Sequence, residues 1–209
     1  MLENDTLFVK SDTLWMKNDS TQGDLVKAFH HAIIFAQDFQ AKCDSLVFQA
    51  SDSTIHFYKS PMLWSDNRQI TGDSMYMVLK YKSPYRFHTL KNSFIVGQTF
   101  DQDTNYFDQI NGRDLEAFFK NGDLHRIDIK GNGELIYCPL EKESDTTPLG
   151  LNKAQCSNTR VDVSARKIKR IKLINEPDSF LIPMEKSKNE PTKLKTFVWW
   201  PDQRPKRKD

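Results

Sequence analysis

The stretch Ile70-Thr71-Gly72-Asp73-Ser74-Met75-Tyr76-Met77-Val78-Leu79-Lys80 aligns without gaps on Ile110-Asn111-Gly112-Arg113-Asp114-Leu115-Glu116-Ala117-Phe118-Phe119-Lys120, 40 positions further on. In both copies the apolar side chains alternate: Met75, Met77 and Leu79 in the first, Leu115, Ala117 and Phe119 in the second. Period two is the signature of a strand with one face buried. The halves that follow also match. Arg86-Phe87-His88-Thr89-Leu90 and Phe94-Ile95-Val96 correspond to Arg126-Ile127-Asp128-Ile129-Lys130 and Leu135-Ile136-Tyr137. A more divergent copy runs through Leu151-Asn152-Lys153-Ala154, Val161 and Val163, Arg170-Ile171-Lys172-Leu173 and Phe180-Leu181-Ile182.

A shorter phrase recurs within these units: a small or polar residue, Asp, Ser or Thr, then apolar, any, apolar. It stands at Ser11-Asp12-Thr13-Leu14-Trp15-Met16, Cys43-Asp44-Ser45-Leu46-Val47-Phe48 and Gly72-Asp73-Ser74-Met75-Tyr76-Met77, with a further version at Asn4-Asp5-Thr6-Leu7-Phe8-Val9. Asp followed by Ser or Thr suits a turn or the start of a strand, because these side chains hydrogen-bond the nearby backbone. It does not suit catalysis, since no base and orienting group recur with it. Asn121-Gly122 reads as a type I′ hairpin turn, and Asp66-Asn67 and Gly131-Asn132-Gly133 as further turns. Residues 25–39 have some helical spacing, but Ala32-Ile33-Ile34-Phe35 and the preceding Gly23-Asp24 favour a strand.

Strand pairs repeated at this period form propellers, solenoids or curved stacks of sheet. The propeller signatures are missing, which leaves a folded-over sheet with one apolar face per layer. Composition agrees. Hydrophobic residues are 38% of the 209 and aromatics 11%, with a mean hydropathy of −0.64. Such numbers suit a thin two-layered sheet with much wet surface better than one deep core. The formal charge is +2, from 30 basic and 28 acidic residues, without the basic excess of a nucleic-acid binder. The odd set Cys43, Cys138 and Cys156 argues against a disulfide framework. No apolar run reaches the length of a membrane span, and the first residues lack the basic and apolar regions of a signal peptide.

The residues resemble those of the OstA-like/LptA-like lipopolysaccharide transport family. The resemblance lies in Leu25-Val26-Lys27-Ala28-Phe29-His30-His31-Ala32-Ile33-Ile34-Phe35 with the Cys43 phrase after it, in Pro61-Met62-Leu63-Trp64-Ser65, and in Phe107-Asp108-Gln109-Ile110-Asn111-Gly112. It continues through Leu124-His125-Arg126-Ile127-Asp128-Ile129-Lys130-Gly131-Asn132-Gly133, Leu151-Asn152-Lys153-Ala154-Gln155-Cys156-Ser157 and the closing Phe197-Val198-Trp199-Trp200-Pro201, nearly the whole chain. The resemblance implies an elongated antiparallel β jelly roll, folded over like a taco, over residues 1–200; the basic run Arg204-Pro205-Lys206-Arg207-Lys208 reads by itself as a solvated, disordered tail over 201–209. The resemblance further implies a periplasmic protein, associated with outer-membrane assembly, that shields lipid acyl chains in an apolar trough. The implied partners are lipopolysaccharide or lipid A, and end-to-end contacts with itself or with other β-jelly-roll bridge proteins; nucleic acid, metal, cofactor and catalysis are not expected. Larger members carry an N-terminal portion and a signal peptide, so the expected counterpart is a C-terminal part. The alternative is a structural β-repeat module that binds no lipid and mediates end-to-end assembly.

The candidate lipid contacts are the alternating apolar side chains: Leu46, Phe48, Ile55, Phe57, Met75, Met77, Leu79, Phe94, Val96, Leu115, Phe119, Ile127, Ile129, Leu135 and Tyr137. Each fits an ordinary self-packed core equally well. Lys80, Arg113, Lys120, Arg126 and Arg170 are candidates for phosphate at a trough rim, or for plain solvated strand faces. Trp64, Trp199 and Trp200 suit caps on one end of the stack, ahead of the alternative of a partner-binding surface. His30, His31, His56, His88 and His125 show no metal-ligand spacing.

Overall fold

The computed structural model describes residues 7–21, 23–36, 39–65, 67–81, 83–99, 105–120, 123–140, 148–164 and 167–206. Among these, the strands are β1 (Phe8–Lys10), β2 (Thr13–Lys17), β3 (Leu25–Phe35), β4 (Gln40–Gln49), β5 (Thr54–Tyr58), β6 (Met62–Ser65) and β7 (Arg68–Thr71). They continue as β8 (Ser74–Lys80), β9 (Ser83–Gln98), β10 (Phe107–Lys120), β11 (Asp123–Tyr137), β12 (Gly150–Ser164), β13 (Lys167–Ile174) and β14 (Asp178–Pro183). All belong to one antiparallel sheet. Residues 25–35 are a strand, as their apolar run requires. Asn121 and Gly122 lie outside the described residues, but Lys120 and Asp123 on either side face each other in register.

The long strands have different partners on their two halves. β4 pairs β5 from Ser45 onward and β6 through Gln40, Ala41 and Lys42. β9 pairs β8 up to Leu90 and β7 from Phe94. β3 divides likewise between β2 and β1, and β12 between β13 and β14. Each long strand therefore crosses a corner, and the sheet closes on itself as two layers. Layer A holds β2, β5, β8 and β13 with residues 25–29, 45–49, 83–90, 114–120, 123–130 and 158–164. Layer B holds β1, β6, β7 and β14 with residues 32–35, 40–43, 93–98, 107–112, 133–137 and 150–156.

Backbone conformation makes the corner. On alternate chain passes two successive residues carry positive φ: His30 and His31, Lys59 and Ser60, Lys91 and Asn92, Gly131 and Asn132, Asn175 and Glu176. Pairing loses register at the same places, as between Lys130 and Gly133, which is how a bulge turns a strand. Gly131-Asn132-Gly133, expected as a turn between strands, is thus a bend within β11. The intervening passes at residues 11–13, 43–45 and 72–74 carry the recurring phrase; the version at Asn4-Asp5-Thr6 lies outside the described residues. Asp12 and Asp73 donate their backbone N–H to the carbonyls of His30 and Lys91, at 3.0 and 3.1 Å. The small residue before Asp lies on the inside of the bend. A Cβ on Gly72 would stand 2.1 Å from Thr89 Cγ2, and one on Gly112 2.2 Å from Ile129 Cγ2. Cys43 and Cys156 hold the same place, buried, with their thiols on the carbonyls of Ser45 and Asn158. The 40-residue repeat is the distance between two such corner passes.

The carboxylates form a polar ridge outside the corner. Asp12 meets His31 Nδ1 at 2.8 Å, and Asp73 accepts from Asn92 Nδ2. Asp114 accepts from the backbone N–H of Lys91 and from Arg113 Nε. Asp44 accepts from the Ser45 hydroxyl, Lys59 and His30. The Ser45 hydroxyl above all, then Lys59, holds its carboxyl at about 2. His30 and His31, adjacent in β3, both occupy this ridge.

The chain after β14 does not leave the sheet. A 3-10 turn (Met184–Asn189) leads into a strap that crosses the outer face of layer B. In register across that face stand Gln40, Trp64, Gln69, Val96, Gln109, Ile136, Lys153 and Phe180. Gln109 donates its Nε2 to the Thr192 carbonyl at 2.8 Å, and its Oε1 accepts the Leu194 N–H at 2.8 Å. Gln69 repeats this with the Val198 carbonyl at 3.1 Å and the Trp200 N–H at 2.8 Å. A side-chain amide matches the spacing of a peptide group, so each glutamine clasps two strap residues two apart. Arg204 Nε then donates to Gln40 Oε1 at 2.6 Å. Part of the expected disordered tail is therefore seated on the sheet, Pro201–Gln203 as a second 3-10 turn; residues 207–209 lie outside the described residues.

Candidate lipid-binding interior

The inward faces of the two layers meet in one apolar cluster. Leu46, Phe57, Met75, Met77, Phe87 and Ile127 come from layer A, and Ile34, Ala41, Leu63 and Ile95 from layer B. The alternation read from the sequence places them there, because every second side chain of a strand shares a face.

Of the fifteen candidate lipid contacts, Leu46, Ile55, Phe57, Met75, Met77, Leu115, Ile127 and Ile129 are buried in this cluster. Phe48, Leu79 and Phe119 pack against it half-buried. Leu135 is buried opposite Ile110, and Tyr137, two residues on, shares its inward face. Burial above all, then the neighbouring Asp108, raises the Tyr137 hydroxyl. Phe94 and Val96 require correction. They face outward beside Phe107, where Leu194, Phe197, Val198 and Trp199 cover all three. The reason is the strap: Phe94-Ile95-Val96 is an unbroken apolar run because both of its faces are covered, as in any doubly buried strand.

The interior is closed along one side by the corner and differently along the other three. Opposite the corner is a mouth, where strand ends of both layers lie, such as Lys80 and Ser83 of layer A and Ser65 and Arg68 of layer B. Among the described residues the layers meet across the mouth by packing, without the ladder that crosses the corner. At the first end, Leu14 and Met16 share the inward face with Ala28 but remain 48% and 69% exposed. At the other, Leu181 shares the inward face with Ala154 and is 52% exposed. The apolar interior thus reaches solvent at both ends. Between them it is filled by its own side chains, with Met75 and Met77 each 2% exposed.

One polar group sits inside the mouth of layer B. Arg68, Gly97 and Asp108 are in register on one inward row. A Cβ on Gly97 would lie 3.0 Å from Arg68 Cγ, so the missing side chain lets the arginine stem pass over the strand toward Asp108. The Asp108 carboxylate accepts the Cys138 N–H at 3.0 Å and the Thr99 hydroxyl at 3.4 Å. Burial raises it to about 6, against the lowering effect of the Cys138 N–H, the Arg68 charge and Thr99.

The candidate phosphate-binding cations divide. Lys80 and Lys120 end β8 and β10 at the mouth, with Lys80 Nζ over the rings of Tyr81 and Tyr85. Arg113 is on the corner ridge, paired with Asp114 at 2.8 Å. Arg126 stacks on Phe118 at 3.8 Å, and Arg170 pairs with Asp162, both on the outer face of layer A. Only two of the five therefore lie at the mouth. His56 and His88 flank Tyr76 in a stack on the outer face of layer A, with His88 and Tyr76 centroids 4.2 Å apart. His125 meets the edge of Phe118. The three cysteines are buried thiols.

Trp64 is buried beneath the strap and Trp199 belongs to it. The tryptophans therefore cover a layer face, not an end of the stack. The glutamine clasps went unread in the sequence. The available signal was a glutamine beside outward apolar residues in strands apolar on both faces.

No family model matches the chain, and no curated protein does. Among solved structures it is similar to LptH. That protein is described as the LptA-homologous periplasmic component of the lipopolysaccharide transport device of Pseudomonas aeruginosa. The match covers 86% of this chain and 96% of LptH at 8% identity, with a TM-score of 0.36. A likeness to LptH at that level bears on neither cargo nor location.

Proposed function

We propose that this chain is a periplasmic lipopolysaccharide-binding module that takes lipid acyl chains between its two β layers and supports outer-membrane assembly. The observation that carries the reading is the interior itself. Among the described residues it is apolar from β2 to β13, hydrogen-bonded across the corner alone, and bounded at the mouth and both ends by packing or solvent. The resemblance of the recurring sequence phrases to the OstA-like/LptA-like family supports the same reading. A sheet that parts at the mouth offers acyl chains the same apolar surface that its own side chains now bury against each other. Burying a twelve-carbon chain gains roughly 10 kcal/mol, at ~0.8 kcal/mol per CH₂, and this gain offsets the cost of parting the two layers. No reacting group enters this mechanism.

The exposed edges extend the reading to assembly. β2 has an unpaired edge at the first end, and β13 and β14 have theirs at the other. Edges of this kind accept a strand from a neighbour, so end-to-end partners are a second copy or another bridge jelly roll.

The second reading is a structural repeat module that binds no lipid. The packed interior favours it. The two are separated by mixing the purified chain with lipid A in detergent and measuring co-elution, with bovine β-lactoglobulin depleted of ligand and an immunoglobulin domain as positive and negative controls. Co-elution that falls in Met77→Asp, a substitution inside the cluster, supports the lipid reading. Binding no greater than that of the immunoglobulin domain, with unchanged end-to-end assembly, overturns it.

A further inference from the structure

The two layers are fastened differently. Layer A is held by its strand ladder and by cross-strand side-chain pairs on its outer face, such as Arg160 with Asp128 at 2.8 Å and Arg86 with Glu116 at 3.6 Å. Each such pair joins neighbouring strands and is partly exposed, so it adds little. Layer B has its ladder and the strap. The strap ties strands that are not neighbours: β12 through Lys153 and Glu190, β10 through Gln109, β7 through Gln69, and β4 through Gln40 and Arg204. It also buries Phe94, Val96 and Phe107 beneath Leu194, Phe197, Val198 and Trp199. Opening layer B at any strand therefore strains a segment anchored several strands away, and strips apolar surface on its outer face as well as its inner one. Opening layer A disturbs only the interior.

We infer that the module opens on one side: layer A swings about the corner ridge while layer B, bound by the strap, stays in place. This rests on the lipid reading for its purpose but not for its existence, because the asymmetry is built into the empty protein. The hinge is the line of residue pairs with positive φ, where the ladder is already interrupted. The free rim of the moving layer is then its strand ends at the mouth, including Lys80 and Lys120.

Hydrogen exchange on the full chain tests this: a layer that leaves its packed partner loses the support that keeps its ladder closed, so its amides open more often, and single long strands pass through both layers. Within β9, residues 83–90 should exchange faster than 94–98. Within β10, 114–120 should exchange faster than 107–111. The expected ratio is about tenfold or more, corresponding to ~1.4 kcal/mol of opening free energy. Gln69→Leu with Gln109→Leu should raise the layer B rates toward those of layer A and leave layer A unchanged. Adding lipid A in detergent should further change exchange in layer A only. Equal rates in the two halves, or faster exchange in layer B, overturn the inference whatever the lipid does. Should the double variant not fold, the contrast within the unaltered chain decides alone. A preserved contrast without lipid A binding removes the proposed function and leaves the hinge standing.

Discussion

Replacing Asp108 by asparagine removes a buried negative charge from the inward mouth of layer B while keeping an oxygen to accept the Cys138 N–H. Burial holds the Asp108 carboxyl at about 6, against an ordinary value of 3.8. The folded state therefore binds this proton more tightly than the unfolded chain. The stabilisation from that proton is fully present below about pH 4 and is lost as pH rises through 6. At ~1.4 kcal/mol per pKa unit, the charged carboxylate costs the fold roughly 3 kcal/mol above pH 7. That figure already contains the attraction to Arg68; asparagine sets an Nδ2 donor where the second carboxylate oxygen lay, and its unmet hydrogen bonds offset part of the gain. A net stabilisation of about 1–2 kcal/mol at pH 8 is expected, worth roughly 2–8 °C in a chain of this size. The assay is thermal unfolding followed by circular dichroism from pH 4 to 8 on both proteins. The difference should be largest at pH 8 and should shrink or reverse near pH 4. An asparagine variant that unfolds at the same temperature as the parent across the range, or whose advantage grows toward acid, refutes the reasoning.

Gly112→Ala should lower the unfolding temperature by roughly 2–10 °C, because its Cβ meets the branched, buried Ile129; overpacking costs ~1–3 kcal/mol. Gly97→Ala meets only the flexible stem of Arg68 and should cost less, so the reverse order in a melting comparison speaks against the corner geometry. Gln109→Leu leaves the Thr192 carbonyl and Leu194 N–H without their partner, a loss of about 1–3 kcal/mol. Limited proteolysis should then cut the strap between residues 190 and 200 sooner than in the parent, and an unchanged cleavage time counts against the clasp. Carbon-detected NMR titration should place Asp44 near 2, with Ser45→Ala moving it upward, since the Ser45 hydroxyl is its strongest partner; an ordinary titration in the parent contradicts the ridge.

Much of the interior was legible because strand alternation is a local rule. Met75, Met77, Leu115 and Ile129 point inward for the reason the sequence suggests, a period of two on a half-buried strand. Phe94 and Val96 were misplaced by the same rule, since a run apolar on both faces has no alternation to read. Trp64 was read as an end cap because its covering partners lie more than a hundred residues away in the strap. Gly131-Asn132-Gly133 carried a real turn signal, but whether such a signal joins two strands or bends one depends on what pairs beyond it.

The amino-acid sequence by itself determined the strands, their repeat, and the recurring small–Asp–Ser/Thr phrase, because each depends on backbone preference and spacing over a few residues. Only the tertiary structure decided that the phrase is a corner, that two layers close over one filled interior, and that the last residues return to clasp layer B. Those features depend on contacts between residues far apart in the chain. A glutamine becomes a clasp only when a distant backbone arrives with its carbonyl and N–H two residues apart.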